Sequence, residues 1–260
     1  MRDMKRVLLT GASGRIGSYL RGALAQDFAL HLNDVADLGP ARANETLFQG
    51  DLTDPDLCAR MVAGLDAIAH FGGRSGIHSF ADVLHSNIVG MQVLYEAARK
   101  AGVRRIVWAS SNHVTGFHPV TEVIDPASPR RPDSFYGVSK SFGEDLSRFY
   151  FDRFGIETLC LRIGSCFPEP TARRMLATWL SHRDLEQLVR LGLSAGRIGH
   201  MVVYATSETR EGFWHSPALR VLGYRPKDDA DAFAARFDGP SPERFQGGPF
   251  ATAPLAEDRA

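Results

Sequence analysis

The strongest constraint on the fold is the alternation of short apolar runs with stretches of helical spacing along most of the chain. Residues 5–10 (KRVLLT), 28–34 (FALHLND), 45–51 (ETLFQGD), 66–73 (DAIAHFGG), 104–111 (RRIVWASS) and 156–164 (IETLCLRIG) read as strands. Between them, residues 15–26, 54–65, 79–102 and 134–155 carry helical periodicity, and Gly102 suits a helix C-cap. Continuous apolar strands alternating with helices predict an α/β fold, a doubly wound parallel sheet of Rossmann type covered on both faces. Past Cys166 the rhythm changes. PTARRMLATWL and HRDLEQLVRLGL look helical, GHMVVYA looks like a strand, and AFAARF fits a last short helix. The spacing therefore predicts three parts: a nucleotide-binding domain over 1–165 carrying the catalytic residues, a small substrate cap over 166–237, and an irregular tail over 238–260. The tail, rich in Pro, Gly and Ala, reads as a mobile end or an arm laid on another subunit.

Composition narrows the class. The chain has 260 residues with 44% hydrophobic content, enough for a full core. Thirty basic residues balance thirty acidic ones, and no basic tract points to nucleic acid. No apolar run approaches the roughly 20 residues of a membrane helix. The basic and then apolar start is too short in its apolar part for a signal peptide and reads as a buried strand. Three cysteines, Cys58, Cys160 and Cys166, fit a reducing cytoplasm better than a disulfide framework. The histidines and cysteines show no metal-ligand spacing, so no metal is expected.

The first chemical motif is TGASGRIG, with Gly11, Gly14 and Gly17 between the first strand and the first helix. Such a turn lets the backbone approach a pyrophosphate, which then faces unpaired N–H groups of the helix N-terminus. Asp34 ends the second strand, 17 positions after Gly17. Its carboxylate suits the hydroxyls of an adenosine ribose and repels a 2′-phosphate, so the expected cofactor is NAD rather than NADP. Arg15 inside the turn pulls the other way, although a structural arginine explains it equally.

The second motif is Tyr136 and Lys140 in SFYGVSK, four residues apart on one helix face. Alone, this is an ordinary surface pair. Together with GxxGxxG, HFGG after the fourth strand, SSNHV after the fifth, and DLTD, HSNIVGMQVLYEAA and LRIGSCFP, it resembles the extended short-chain dehydrogenase/reductase superfamily over nearly the whole chain. The resemblance implies that Asp51 and Leu52 border the adenine, that Gly72 and Gly73 meet the middle of the cofactor, and that Arg15 and Ile16 join the glycines in holding it. It places Asn87 near the nicotinamide half, where a buried structural asparagine is the alternative. It makes Tyr136 the base, Lys140 its partner on the cofactor ribose, and Ser111 the hydroxyl that holds the reacting oxygen. An ordinary tyrosine, with a pKa near 10, is too weakly acidic to act as a base at neutral pH, and a nearby ammonium would favour the phenolate.

The substrate side has its own features. The chain is short for a nucleotide-sugar enzyme. Thr115 stands where the superfamily's SSxxVYG pattern has tyrosine, and Ser165 stands where many members carry asparagine. Arg173 and Arg174 offer a fork suited to a carboxylate. With GGRSG (72–76) and RVLGYRPKDDA (220–230), this set closely resembles bacterial uronate dehydrogenases, which oxidise the anomeric carbon of glucuronate or galacturonate with NAD. That resemblance implies a small uronic acid substrate lined by Ser75, Asn112, His113, Ser165 and Arg174, with Tyr136 and Ser111 at the reacting carbon, Ser165 and Arg174 on the carboxylate, and Arg173 as the alternative binder. A homo-oligomer is expected. Rival readings are another small NAD-dependent sugar or nucleotide-sugar dehydrogenase or epimerase, and a non-catalytic NAD-sensing module. Retention of the serine, tyrosine and lysine argues against the last.

Overall fold

The computed structural model describes residues 4–258. Nine strands are present among them: β1 Lys5–Thr10, β2 Phe28–Asp34, β3 Glu45–Gln49, β4 Ala67–His70, β5 Arg105–Ser111, β6 Glu157–Ile163, β7 Ser165–Cys166, β8 Trp179–Leu180 and β9 His200–Ala205. The α-helices are α1 Arg15–Leu24, α2 Pro55–Val62, α3 Phe80–Val83, α4 Gly90–Lys100, α5 Phe135–Phe154, α6 Met175–Thr178, α7 His182–Ser194 and α8 Ala218–Leu222. Seven strands form one parallel sheet in the order β3-β2-β1-β4-β5-β6-β9, and β7 pairs with β8 separately. The expected doubly wound fold is what the chain adopts.

Both faces of the sheet's centre are buried because β1, β4, β5 and β6 are apolar on both sides over most of their length. In β1, Val7 and Leu9 enter one core with Leu20 and Leu24 of α1 and Leu185, Leu188 and Val189 of α7. Leu8 between them enters the other core, with Leu57 and Met61 of α2, Met91 and Leu94 of α4, and Trp108. Period-2 side-chain alternation thus sends neighbouring residues of one strand into two separate cores.

Local signals account for the ends of the helices. Asp54 caps α2 by accepting from Asp56 N and Leu57 N, with Pro55 at the first helical position. Ser134 caps α5 through Gly137 N, and Gly155 closes it in the left-handed region at φ 69°. The helical stretch over 79–102 is not uniform: α3 runs into a π-helical turn at Leu84–Val89 before α4.

The C-terminal third departs from the sequence expectation in three ways. First, α7 and β9, placed by spacing in a cap over 166–237, belong to the main layers. β9 is the seventh sheet strand, and α7 packs on α1, β4 and β5. Their apolar residues find the uncovered edge of the sheet, which a linear reading does not reveal. Second, PTARRMLATWL is not one helix. It has a single turn at Met175–Thr178 followed by β8. Third, the tail is not a free end over its described part. It folds back on its own chain, with short 3₁₀ turns at Gly248–Ala251 and Ala256–Asp258, and pairs at Phe245 with Pro119.

Candidate active site

The carboxyl ends of β1, β2, β4, β5 and β6 open into a cavity of about 1090 Å³, where a doubly wound sheet offers its binding crevice. On one side lies the turn after β1. Gly11 takes φ 70°, and a Cβ on Gly17 would overlap the carbonyl of Gly11, so the helix can start this close only with glycine. α1 begins with no side-chain cap, whereas α2, α5 and α7 are capped by Asp54, Ser134 and Ser181. Its first N–H groups are therefore open to an anion. Asp34 accepts from Ser13 N at 3.0 Å and from Ala36 N at 3.1 Å, which fixes its carboxylate at the cavity rim. Thr10 Oγ1 accepts from Gly72 N at 3.0 Å and contacts His70 Nδ1 at 2.7 Å. Burial, with a smaller push from Lys140, holds His70 down to about 3, so it is neutral. Gly14, Arg15, Ile16, Asp51, Leu52, Gly72 and Gly73 also line this side, and Arg15 stacks on Phe167 with its Cζ 4.0 Å from the ring centroid. The glycine turn, the open helix start and the rim carboxylate fit a dinucleotide.

Asn87 is placed differently. It lies behind the cavity wall on the π-helical turn, clamping both sides of one residue. Oδ1 accepts from Arg74 N at 2.8 Å, and Nδ2 donates to Arg74 O at 2.9 Å and to Ser139 Oγ at 3.0 Å. The extra residue of the π turn brings its amide inward. Ser86 reaches the cavity instead.

At the centre, Ser111 at the end of β5, Tyr136 and Lys140 of α5 share the cavity. Lys140 is buried and donates to Ala109 O at 2.7 Å, with Nζ 5.5 Å from the Tyr136 ring centroid. Desolvation lowers Lys140 to about 8 and raises Tyr136 to about 12; Asp133 adds to the tyrosine shift and the Ser111 hydroxyl opposes it. Without the cofactor, burial thus sets the direction of both shifts.

His113 Nδ1 contacts Asp133 Oδ2 at 2.7 Å, and its ring stacks on Phe250 at 4.1 Å and meets the Tyr136 ring edge-on at 5.7 Å. Ser75, Asn112, Ser165 and Arg174 line the same end. Of the two candidate arginines, Arg173 is tied to Glu211 through Nη1 at 2.5 Å and Nη2 at 2.9 Å. Arg174 turns inward. Among the described residues it has no carboxylate partner, and its Nε is buried without any hydrogen-bond partner. Thr115, at the position that suggested an altered substrate site, bonds the Tyr204 phenol at 2.7 Å. Arg162 joins that phenol to Glu144, which also accepts from Ser110 Oγ at 2.7 Å. This buried ion pair under the catalytic strand left no signal in the sequence, since Glu144 and Arg162 lie on different elements.

Comparison with known proteins agrees with this geometry. The model of the NAD dependent epimerase/dehydratase family matches residues 7–194. The chain belongs to that family. It is similar to a uronate dehydrogenase of Pseudomonas syringae pv. tomato, with 47% identity across 97% of this chain and 95% of that protein. The crystal structure of uronate dehydrogenase from Agrobacterium tumefaciens superimposes with a TM-score of 0.93 at 47% identity, covering 97% of this chain and 98% of the other. A mutant of that enzyme complexed with NAD also matches with a TM-score of 0.93, at 46% identity and the same coverage. Within the family, the tail residues Gly247, Pro249 and Phe250 are part of this chain's cavity wall. Sequence reasoning missed them because nothing in a Pro/Gly-rich tail specifies where it lands.

Proposed function

We propose that this chain is an NAD-dependent uronate dehydrogenase that oxidises the anomeric carbon of galacturonate or glucuronate to the aldarolactone. The observation that carries the reading is Arg174, a guanidinium inside the cavity with no carboxylate partner and an unpartnered Nε. Burial lowers its pKa, which expresses the cost of holding that charge dry; a substrate carboxylate would repay it. Gly11, Gly14, Gly17 and the start of α1 would hold the pyrophosphate and Asp34 the adenosine ribose. When bound, NAD supplies the hydride acceptor and a positive charge on its oxidised ring. Tyr136 takes the proton of the C1 hydroxyl, and Ser111 holds that oxygen in place. Lys140 would orient the cofactor ribose. Asn112 and His113, with Asp133 fixing the imidazole, bind sugar hydroxyls.

Net NADH formation from galacturonate or glucuronate tests the reading, with galactose and glucose as neutral controls. An epimerase would recycle its hydride and accumulate none, and equal rates on acids and neutral sugars would remove the uronate assignment.

Among the described residues no helix is long and apolar enough to cross a membrane. Three buried free cysteines support a cytoplasmic setting. A homo-oligomer is supported by exposed Val138, Phe142 and Phe149 on α5 and Phe80, Leu84 and Val89 nearby in sequence to α4. Light scattering on the purified protein reads the subunit number directly.

A further inference from the structure

One wall of the cavity is neither strand nor helix. Residues 244–248 run beside the loop at 116–120: Val120 N donates to Arg244 O, Gln246 N to His118 O and Gly247 N to Gly116 O, at 3.1, 2.8 and 2.8 Å. In the middle of this strap, Gln246 is fully buried. Its Nε2 donates to Pro119 O at 3.0 Å and to Glu122 O at 2.8 Å, while its Oε1 accepts from Trp214 Nε1 at 2.8 Å. An indole N–H can only donate and carbonyls can only accept, so this network fixes which way the amide faces. With the side chain anchored, the main-chain carbonyl of Gln246 is left pointing at the site. It accepts from Asn112 Nδ2 at 3.3 Å and from Arg174 Nη2 at 2.5 Å.

The other bonds on Arg174 are long: Ser165 Oγ at 3.3 Å and Thr178 Oγ1 at 3.5 Å. The Gln246 carbonyl is therefore its principal tether. A neutral carbonyl can aim a guanidinium without neutralising it, whereas a carboxylate, such as Glu211 on Arg173, consumes the charge. The approach needs glycine on the strap. A Cβ on Gly247 would overlap the Asp133 carboxylate, and one on Gly248, at φ 64°, would meet Arg174 Nε at 2.5 Å.

We propose that Gln246 is a positioning residue for substrate recognition. Its anchored carbonyl aims Arg174 and Asn112 into the cavity and so sets the preference for an acidic sugar over a neutral one. This rests on the reading of Arg174 as the carboxylate binder.

Two variants test it. Gln246→Glu keeps the shape but turns an oxygen toward the carbonyls of Pro119 and Glu122. Trp214→Phe removes the N–H to Oε1, with part of the indole, and keeps an aryl ring against Tyr204. The readout is the ratio of kcat/KM for galacturonate to that for galactose, with NAD affinity measured by titration. The ratio should fall roughly tenfold in Gln246→Glu, the scale of one misplaced hydrogen bond to a charged group. It should fall severalfold in Trp214→Phe, through the KM for galacturonate. A merely structural role would lower both sugars together and leave the ratio unchanged. If Gln246→Glu does not fold, Trp214→Phe decides. A ratio within about twofold of wild type in each folded variant, with Arg174→Ala still abolishing the preference, overturns the positioning role alone. If Arg174→Ala also leaves the ratio intact, the carboxylate reading fails first and takes this proposal with it.

Discussion

The two ends of the cavity are built by different means. At the nucleotide end, ligand-facing groups come from consecutive turns at strand ends: Gly11–Gly17 after β1, Asp34 at the end of β2, and Gly72 and Gly73 after β4. Much of the wall there is glycine backbone, and each group is held by neighbours close in the sheet. At the sugar end, Ser75, Asn112, His113, Ser165, Arg174 and Phe250 arrive from segments spread over 175 positions of the chain, and side chains do most of the work. A shared scaffold therefore carries the cofactor, while the substrate end depends on long-range closure by the cap and the strap. Changes at the first end should alter cofactor use, and changes at the second should alter sugar choice.

The largest effect is expected where the two ends meet. Tyr136→Phe removes the proton acceptor with little loss of volume, so kcat should fall roughly 10²-fold or more while NAD titration stays near wild type. A variant that keeps most of its kcat would put the base elsewhere. At the sugar end, Arg174→Ala should cost about 10- to 150-fold in uronate kcat/KM and little for galactose. Arg173→Ala, which loses its partly exposed pair with Glu211 and its bond to Gly239 O, should change the ratio far less.

Lys140 sharpens the comparison through stability. Burial depresses it from 10.5 to about 8, so between those pH values the unfolded chain carries a proton that the folded one lacks. Its contribution to stability therefore grows as pH rises across that window, by roughly 3 kcal/mol. Denaturant titrations of wild type and Lys140→Met in the absence of NAD should show this rise flattened in the variant. Identical pH slopes would mean that the buried lysine keeps its ordinary affinity for protons.

At the nucleotide end, Asp34→Ala should weaken NAD roughly tenfold and relax discrimination against NADP, read by titrating both cofactors, with the uronate-to-aldose ratio unmoved. A shift in that ratio would show that the two ends are coupled. The smallest effect belongs to Phe250→Ala. Removing the ring stacked on His113 should raise the KM for galacturonate about two- to tenfold, the scale of one aromatic pair. A change in NAD affinity instead would place Phe250 over the cofactor.

The sequence by itself determined the glycine turn after β1, the acidic end of β2, and Ser111, Tyr136 and Lys140 as candidates for the chemistry. Gly11, Gly14, Gly17 and Asp34 sit at consecutive strand ends where local spacing was enough to place them, while Ser111, Tyr136 and Lys140 were brought together by the pattern of motifs along the chain. It also narrowed the carboxylate binder to two adjacent arginines. Tertiary structure made the remaining decisions, each for a reason that spacing cannot encode. Arg173 points out and Arg174 in because Glu211, 38 positions away, takes the first. Asn87 works behind the wall because a π turn rotates it onto Arg74. Tyr136 is pushed up in pKa because burial depends on everything packed around the phenol. The tail lands on its own active site because the buried amide of Gln246 finds partners at Pro119, Glu122 and Trp214, contacts that exist only once the chain has closed.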